Sequence, residues 1–433
     1  MKLLPLLTYF GLFICIEQIV AQPIDDTLLT HYRQMALEYD DELKSATKRI
    51  EACMELERSA RAERIPTLSA GGDFRYTGHP LEYSTDLPNI GTLKLQGQNW
   101  RYGASATLSQ PIYTGGRIAE AIQMAESETR LSEAQRELLR SELCYRVDVQ
   151  YWTTVASMER VAVAEEYLQA VAELERIVRE RVEAGLCDYQ EQLTVEVKYN
   201  EAQYRLLQTQ SNFETHRMAL NALIGLPLDT KTTVDITLPK VESEILEISD
   251  LTLHPEFRIA QEHIELEKST LRFNDAQYKP QLQFSANGGY FAPGYNFKPD
   301  LSPNYTLYAQ ISVPIFQGGK RHHERRTAEY RIGMATDALH RVETNLDLET
   351  RTAQTSLVEA QKRVVLASSS LIKACENEQR ATEKYTQGAI SITEVIDAQI
   401  YRQTAQENLI NAKIAALLYQ AELMKATDAY RFN

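Results

Sequence analysis

The chain is short of cysteine and tryptophan, carries no excess of positive charge and, beyond its first 21 residues, has no long apolar run. Each shortage excludes something. A membrane-spanning helix needs about 18 or more consecutive apolar residues, and no stretch after the N-terminus approaches that. With 60 Asp and Glu against 46 Lys and Arg, and a net charge of −14, no broad basic face is available for a phosphate backbone, so nucleic acid is excluded as a partner. Cys53, Cys144, Cys187 and Cys375 are too far apart for a CxxC metal site or a dense disulfide framework, and read as small hydrophobes. The fingerprints of serine hydrolases, zinc proteases, phosphate loops and dinucleotide sites are missing, which argues against an enzyme and against a bound cofactor. Only Arg321-His322-His323-Glu324-Arg325-Arg326 gathers metal-ligand residue types. Adjacent imidazoles on a helix point about 100° apart, so the cluster reads as a solvated collar and no metal is assigned.

Glycine and proline are also scarce, except in two windows. Residues 66–116 and 280–319, 91 in all, hold 13 of the 18 Gly and 9 of the 14 Pro; everything outside them reads as helix. The N-terminus stands apart. Lys2, the 14-residue apolar core Leu3 to Ile16 and the exit Ile19-Val20-Ala21 form a secretory signal peptide over 1–21, with the mature chain starting at Gln22. The core is too short for the ~20 residues that span a bilayer. Cys15 follows Phe13-Ile14 and belongs to that core rather than to an acylation site.

The mature chain is an internal repeat. Pro66-Thr-Leu-Ser-Ala-Gly-Gly-Asp-Phe-Arg-Tyr76 echoes Pro280-Gln-Leu-Gln-Phe-Ser-Ala-Asn-Gly-Gly-Tyr290. Leu108-Ser-Gln-Pro-Ile-Tyr-Thr-Gly-Gly-Arg117 echoes Ile311-Ser-Val-Pro-Ile-Phe-Gln-Gly-Gly-Lys320 at an offset of 203, and Gly185 and Gly388 share that offset. The expected layout is a first repeat over 22–227, an equatorial connection over 228–254 and a second repeat over 255–433.

From Arg117 to Ala184 there is neither Gly nor Pro, and at 1.5 Å per residue such a helix is about 100 Å long. No compact domain accommodates it. Leu131, Leu138, Tyr145 and Trp152 recur every seven residues, and Tyr167, Val171, Leu174 and Val178 continue in 4-3-4 steps, the spacing of a coiled-coil seam. Each repeat therefore contains a long helical hairpin, 117–224 with its tip near Gly185 and 320–427 with its tip near Gly388. Shorter helices are expected over 25–64 and 256–278.

The Gly/Pro windows read as strands at 66–76, 101–113, 280–290 and 305–316, joined by loops over 77–99 and 291–304. Leu68, Ala70, Gly72, Phe74 and Tyr76 alternate with Thr67, Ser69, Gly71, Asp73 and Arg75, and the other three strands repeat the pattern. Alternation over about ten residues with flanking aromatics (Tyr76, Trp100, Tyr113, Tyr290, Tyr305) is the signature of an outer-membrane β-barrel. Four strands cannot close a barrel, and an open edge in lipid strands backbone N–H and C=O groups at several kcal/mol each. Copies must pool strands; three copies give about twelve, wide enough to enclose a hydrated pore.

The repeat, the Gly-Gly junctions and the tip Tyr385-Thr-Gln-Gly-Ala-Ile-Ser-Ile-Thr-Glu-Val-Ile-Asp-Ala-Gln399 resemble the TolC family of outer-membrane efflux proteins over nearly the whole mature chain. Leu220-Asn-Ala-Leu-Ile-Gly-Leu-Pro227 resembles the family's segment closing the first return helix. The resemblance implies a mainly α protein with a membrane β-barrel. It implies a homotrimer whose helical hairpins form an α-barrel in the periplasm of a Gram-negative bacterium and whose strands form a twelve-stranded barrel in outer-membrane lipid. It further implies a passive channel-tunnel of a tripartite efflux or type I secretion system, docked to a periplasmic adaptor protein and a proton-driven or ATP-driven inner-membrane pump.

The same resemblance assigns residues. Glu394 and Asp397, six and nine after the tip glycine, match acidic residues that ring the closed entrance, and Glu191 holds the corresponding position in the first repeat. Tyr385 matches a tyrosine of the closed-state linkage, while Ile390 stands where the family's linking arginine would be. Gly185 and Gly388 mark the adaptor-docking tips. Glu394 and Asp397 lie i,i+3 on one helix face, so three copies would place six carboxylates around one axis and favour cations. From spacing alone a solvated helix face remains open, as do two readings without transport: a trimeric coiled-coil surface stalk and a soluble periplasmic scaffold.

Overall fold

The computed structural model describes residues 27–88, 91–235, 238, 251–294 and 299–430. The signal peptide, Cys15, the start at Gln22 and much of the connection 228–254 lie outside them. The chain divides into two compact units. One comprises 1–41, 139–251 and 345–433, the other 42–138 and 252–344. The elements are α1 (Thr27–Tyr39), α2 (Asp41–Ala62), β1 (Thr67–Tyr76), β2 (Glu82–Leu87), β3 (Gly91–Gln96), β4 (Trp100–Tyr113), α3 (Arg117–Glu183), α4 (Tyr189–Ile224), α5 (Pro255–Ala276), β5 (Gln281–Ala292), β6 (Ser302–Ser312), α6 (Lys320–Thr386) and α7 (Ile392–Ala426).

Three of these differ from the sequence reading. The helix expected over 25–64 is two helices, α1 and α2, interrupted at Asp40. The loop expected over 77–99 carries a two-stranded hairpin, β2 paired with β3. The last main strand runs over Ser302–Ser312 rather than 305–316; Pro314 has no N–H to give a ladder, so pairing stops short of it.

In the sheet-bearing unit the strand order is β1-β4-β5-β6, all antiparallel. Its register puts Leu68 opposite Leu108 and Phe74 opposite Tyr102, then Leu108 opposite Ala286 and Ala286 opposite Leu307. One face is therefore apolar across all four strands. The ladder shifts between Pro111 and Tyr113, where the missing N–H is absorbed by a bulge. The turn from β4 into α3 needs Gly115 (φ 68), because a Cβ there would lie 2.6 Å from the Ala276 carbonyl oxygen. Arg61–Glu126, Arg130–Glu262, Arg272–Glu120 and Arg321–Asp275 pairs at 2.7–2.9 Å tie α2 and α5 to the helices beside them.

The helical unit has an apolar core drawn from α1 (Leu29, Tyr32, Ala36), α3 (Leu143, Val147, Tyr151, Val155), α4 (Leu220, Ile224) and α7 (Ile410, Leu417). Of the seam positions read from the sequence, Leu131, Trp152, Val171, Leu174 and Val178 are buried, while Leu138, Tyr145 and Tyr167 are only partly so. The buried face is wider than an a/d stripe. Leu143, Val147, Tyr151 and Val155 form a second buried row, because α3 packs against several neighbours rather than one. Beside this core Arg33 donates to both Asp148 oxygens at 2.6 Å, and the Tyr430 hydroxyl donates to the same carboxylate at 2.7 Å. Burial pushes the adjoining Cys144 thiol up to about 12, which keeps it neutral, as its reading as a hydrophobe requires.

Candidate functional site

Two places carry the features from which function can be argued: the hairpin tips and the sheet. At the tips, α3 ends at Gly185 (φ 70) and α6 at Gly388 (φ 75), both left-handed as expected of a C-terminal cap. The return helices start at matched positions of the repeat. Asp188 accepts from the Gln190 N–H at 3.1 Å ahead of α4, and Ser391 is the cap residue ahead of α7.

Between the tips lies a small core of Val171, Leu174, Val178, Val195, Tyr385, Ile392, Val395 and Ile396. Tyr385 is 2% exposed and is held from three directions. Its hydroxyl donates to Glu191 Oε2 at 2.9 Å. The Arg181 guanidinium lies 4.9 Å from its ring centroid and donates to the Tyr385 and Thr386 carbonyls at 3.1 and 3.2 Å. Burial, and then the Glu191 carboxylate, push the phenol well above its usual range, so it stays a neutral donor.

The site residues proposed from the sequence thus part company. Tyr385 and Glu191 meet. Glu394 instead accepts from the Ser391 N–H at 3.3 Å and hydroxyl at 3.2 Å, completing the start of its own helix, and is exposed. Asp397 is exposed one turn further on. Gly185 and Gly388 are exposed. Arg181 went unnoticed in the sequence; a basic residue in the last turn, one turn before the tip glycine, was the available signal. A second network is likewise new: Arg402 on α7 donates to Glu378 on α6 at 2.8 Å and to Glu166 on α3 at 3.1 Å.

The sheet presents two chemically distinct faces. Leu68 is 75% exposed, Phe74 73%, Tyr305 78% and Ile311 69%, so nothing described in the chain covers the apolar side. On the other side Gln283 donates to Ser109 at 2.8 Å and Asn287 to Thr107 at 2.6 Å, a hydrogen-bonded polar lining. Below the strands, His322 and His323 stand edge to face at 5.4 Å, while Arg321 and Glu324 are already engaged with Asp275 and Tyr278. Among the described residues no group of three or more His, Cys, Asp or Glu is arranged to hold a metal ion.

Comparison with known proteins gives one consistent answer. The family described as outer membrane efflux protein matches residues 32–226 and 250–428. The chain is 25% identical over 431 residues to the solvent efflux pump outer membrane protein SrpC of Pseudomonas putida, covering 93% of this chain and 85% of that one. It is 22% identical over 456 residues to outer membrane protein TolC of Escherichia coli K12, covering 98% and 86%. Among solved structures, outer membrane protein VceC of Vibrio cholerae superposes with a TM-score of 0.78 at 19% identity, over 93% and 96% of the two chains.

Proposed function

The chain belongs to the outer membrane efflux protein family, and from that membership we propose that three copies assemble into a passive conduit from the periplasm to the outside of a Gram-negative cell. Each copy gives four strands to a twelve-stranded barrel in outer-membrane lipid and its helical hairpins to a periplasmic tunnel. A periplasmic adaptor engages the tips, and an inner-membrane pump supplies both the energy and the choice of substrate.

The observation that carries this reading is the sheet. Its apolar face is bare, its opposite face is a hydrogen-bonded polar lining, and among the described residues its end strands β1 and β6 have no further strand partner. Because the four strands alternate in direction, β6 of one copy meets β1 of the next antiparallel, and a ring of copies leaves no open edge. The bare face then meets hydrocarbon and the polar face meets water. Purified protein added to a planar lipid bilayer is expected to give discrete, long-lived conductance steps. A bilayer that stays silent at protein levels sufficient for insertion contradicts the conduit.

A further inference from the structure

We propose that Arg75 and Arg101 form an anion-gathering ring at the outer mouth of the conduit, a site for compounds that carry several phosphate, sulfate or carboxylate groups. This rests on the conduit proposed above and deepens it by naming what its exit favours.

The main strands β1, β4, β5 and β6 contain three charged residues, Asp73, Arg75 and Arg101. All three gather at one end of one ladder. Arg75 lies opposite Arg101, one rung inside the last pair, Tyr76 with Trp100, and Asp73 lies opposite Gly103. That end is the far one from the helices, because α2 leads into β1 near Thr67 and β4 runs on into α3 after Tyr113. In the conduit it is the outer mouth.

Alternation settles which face the arginines occupy. Arg101 shares its side of β4 with Thr107 and Ser109, which accept from Asn287 and Gln283 in the polar lining, and Arg75 follows as its partner in register. The opposite side of the same rungs is an aromatic cluster: Trp100 lies 5.1 Å from Phe74 and 4.7 Å from Tyr76 between ring centroids, and Phe74 lies 6.4 Å from Tyr102. Such a girdle marks the level of the lipid headgroups. Arg75 and Arg101 are therefore on the water side at the membrane rim. Both are exposed, and among the described residues neither makes an ion pair or a side-chain hydrogen bond.

The fold does not require these charges. Like charges directly opposite on neighbouring strands destabilise a sheet. The second repeat builds the same rung without them: Arg75 corresponds to Gly289 in the match of Pro66–Tyr76 with Pro280–Tyr290, Arg101 corresponds to Asn304 at the offset of 203, and Gly289 is itself opposite Asn304. Asp73 offsets one of the two charges at most. On the neighbouring hairpin Glu82 is engaged by Lys94 at 3.7 Å and Asp86 accepts from Thr92. Two guanidinium forks about 5 Å apart at their Cβ atoms match two anionic groups of one molecule, each held bidentately. Three copies place six guanidiniums against three carboxylates around one axis, and the low-dielectric wall strengthens the field at the mouth.

The test is block of single channels of the full-length mature protein in planar bilayers by inorganic triphosphate in dilute KCl. Wild type is expected to block, and less so as KCl is raised. Arg75→Gln with Arg101→Gln should raise the half-blocking concentration roughly ten-fold, and Asp73→Asn should lower it. A conducting wild type that triphosphate does not block, or a glutamine pair that blocks as wild type does, overturns the ring while the conduit stands. A silent bilayer contradicts the conduit and the ring together. Should the glutamine pair fail to insert, Asp73→Asn decides, and an unchanged half-blocking concentration overturns the ring. Independently, reversal potentials in a KCl gradient are expected to move toward cations in the glutamine pair and toward anions in Asp73→Asn; no movement in either counts against it.

Discussion

The Tyr385 hydroxyl donates to the Glu191 carboxylate at 2.9 Å, joining the end of α6 to the start of α4 across 194 residues of chain. The bond ties one hairpin to the other at their tips, with Arg181 stacked over the ring. Its donor is buried, so losing it is not made good by water.

Tyr385→Phe removes the hydroxyl and keeps the ring under Arg181. A hydrogen bond to a charged acceptor is worth about 1.5–3 kcal/mol, enough to loosen the tip without unfolding α6. Single-channel recordings are expected to show a larger or more often open conductance than wild type. An unchanged record contradicts a gating role for the pair.

Glu394 accepts from both groups of Ser391, so alanine there would confound charge with helix capping. Glu394→Gln with Asp397→Asn removes the charge and retains an acceptor at the cap. Six fewer carboxylates around a trimer axis should lower cation-over-anion permeability in bilayer reversal potentials. Unchanged selectivity takes these residues out of the constriction.

Gly388 sits at φ 75, with Arg181 Nη2 3.7 Å from where a Cβ would be. Space exists, so a bulky substitution strains only the local turn, by about 1–2 kcal/mol. The trimer is expected to survive Gly388→Leu, while co-purification of the adaptor and efflux fall. Wild-type efflux in this variant contradicts docking at the tip.

Arg33 and Asp148 are 4% and 2% exposed in their side chains. Asp148→Ala leaves the guanidinium buried and uncompensated, at a cost of about 3–5 kcal/mol, whereas Arg33→Met with Asp148→Leu costs less. Thermal melts followed by circular dichroism should rank the variants in that order. Burial, and then the Asp148 carboxylate, hold the Tyr430 phenol well above its usual 10. The folded state binds that proton more tightly, so the contribution is whole below pH 10 and fades as pH rises through the folded value. Wild type should lose stability above pH 10 more steeply than Tyr430→Phe; parallel curves contradict the assignment.

Much of this was legible in the chain because regular structure leaves periodic traces. The long helices showed as a near-absence of Gly and Pro, Gly333 in α6 being the exception, and the strands as alternation that survives where both faces matter. The hairpin β2–β3 alternates too, Tyr83, Thr85 and Leu87 against Glu82, Ser84 and Asp86, and escaped because each strand is only 6 residues long and lies among the turn residues Pro80, Pro88 and Gly97. The interruption at Asp40 lacks a proline or glycine to announce it. Arg33, Asp148 and Tyr430 could not be joined from sequence, since nothing in the spacing of residues so far apart marks a contact. Ser391-Ile-Thr-Glu394 did carry a readable signature, a cap residue with a glutamate three places on, and it gives Glu394 a local task beside any role at the entrance.

The central claim is that identical chains seal one another's sheet edges in lipid. Light scattering of the mature protein in detergent, with the detergent mass subtracted, tests it most directly. The account predicts three chains per particle and precipitation when detergent is withdrawn. A single chain that stays dispersed in plain buffer would contradict it.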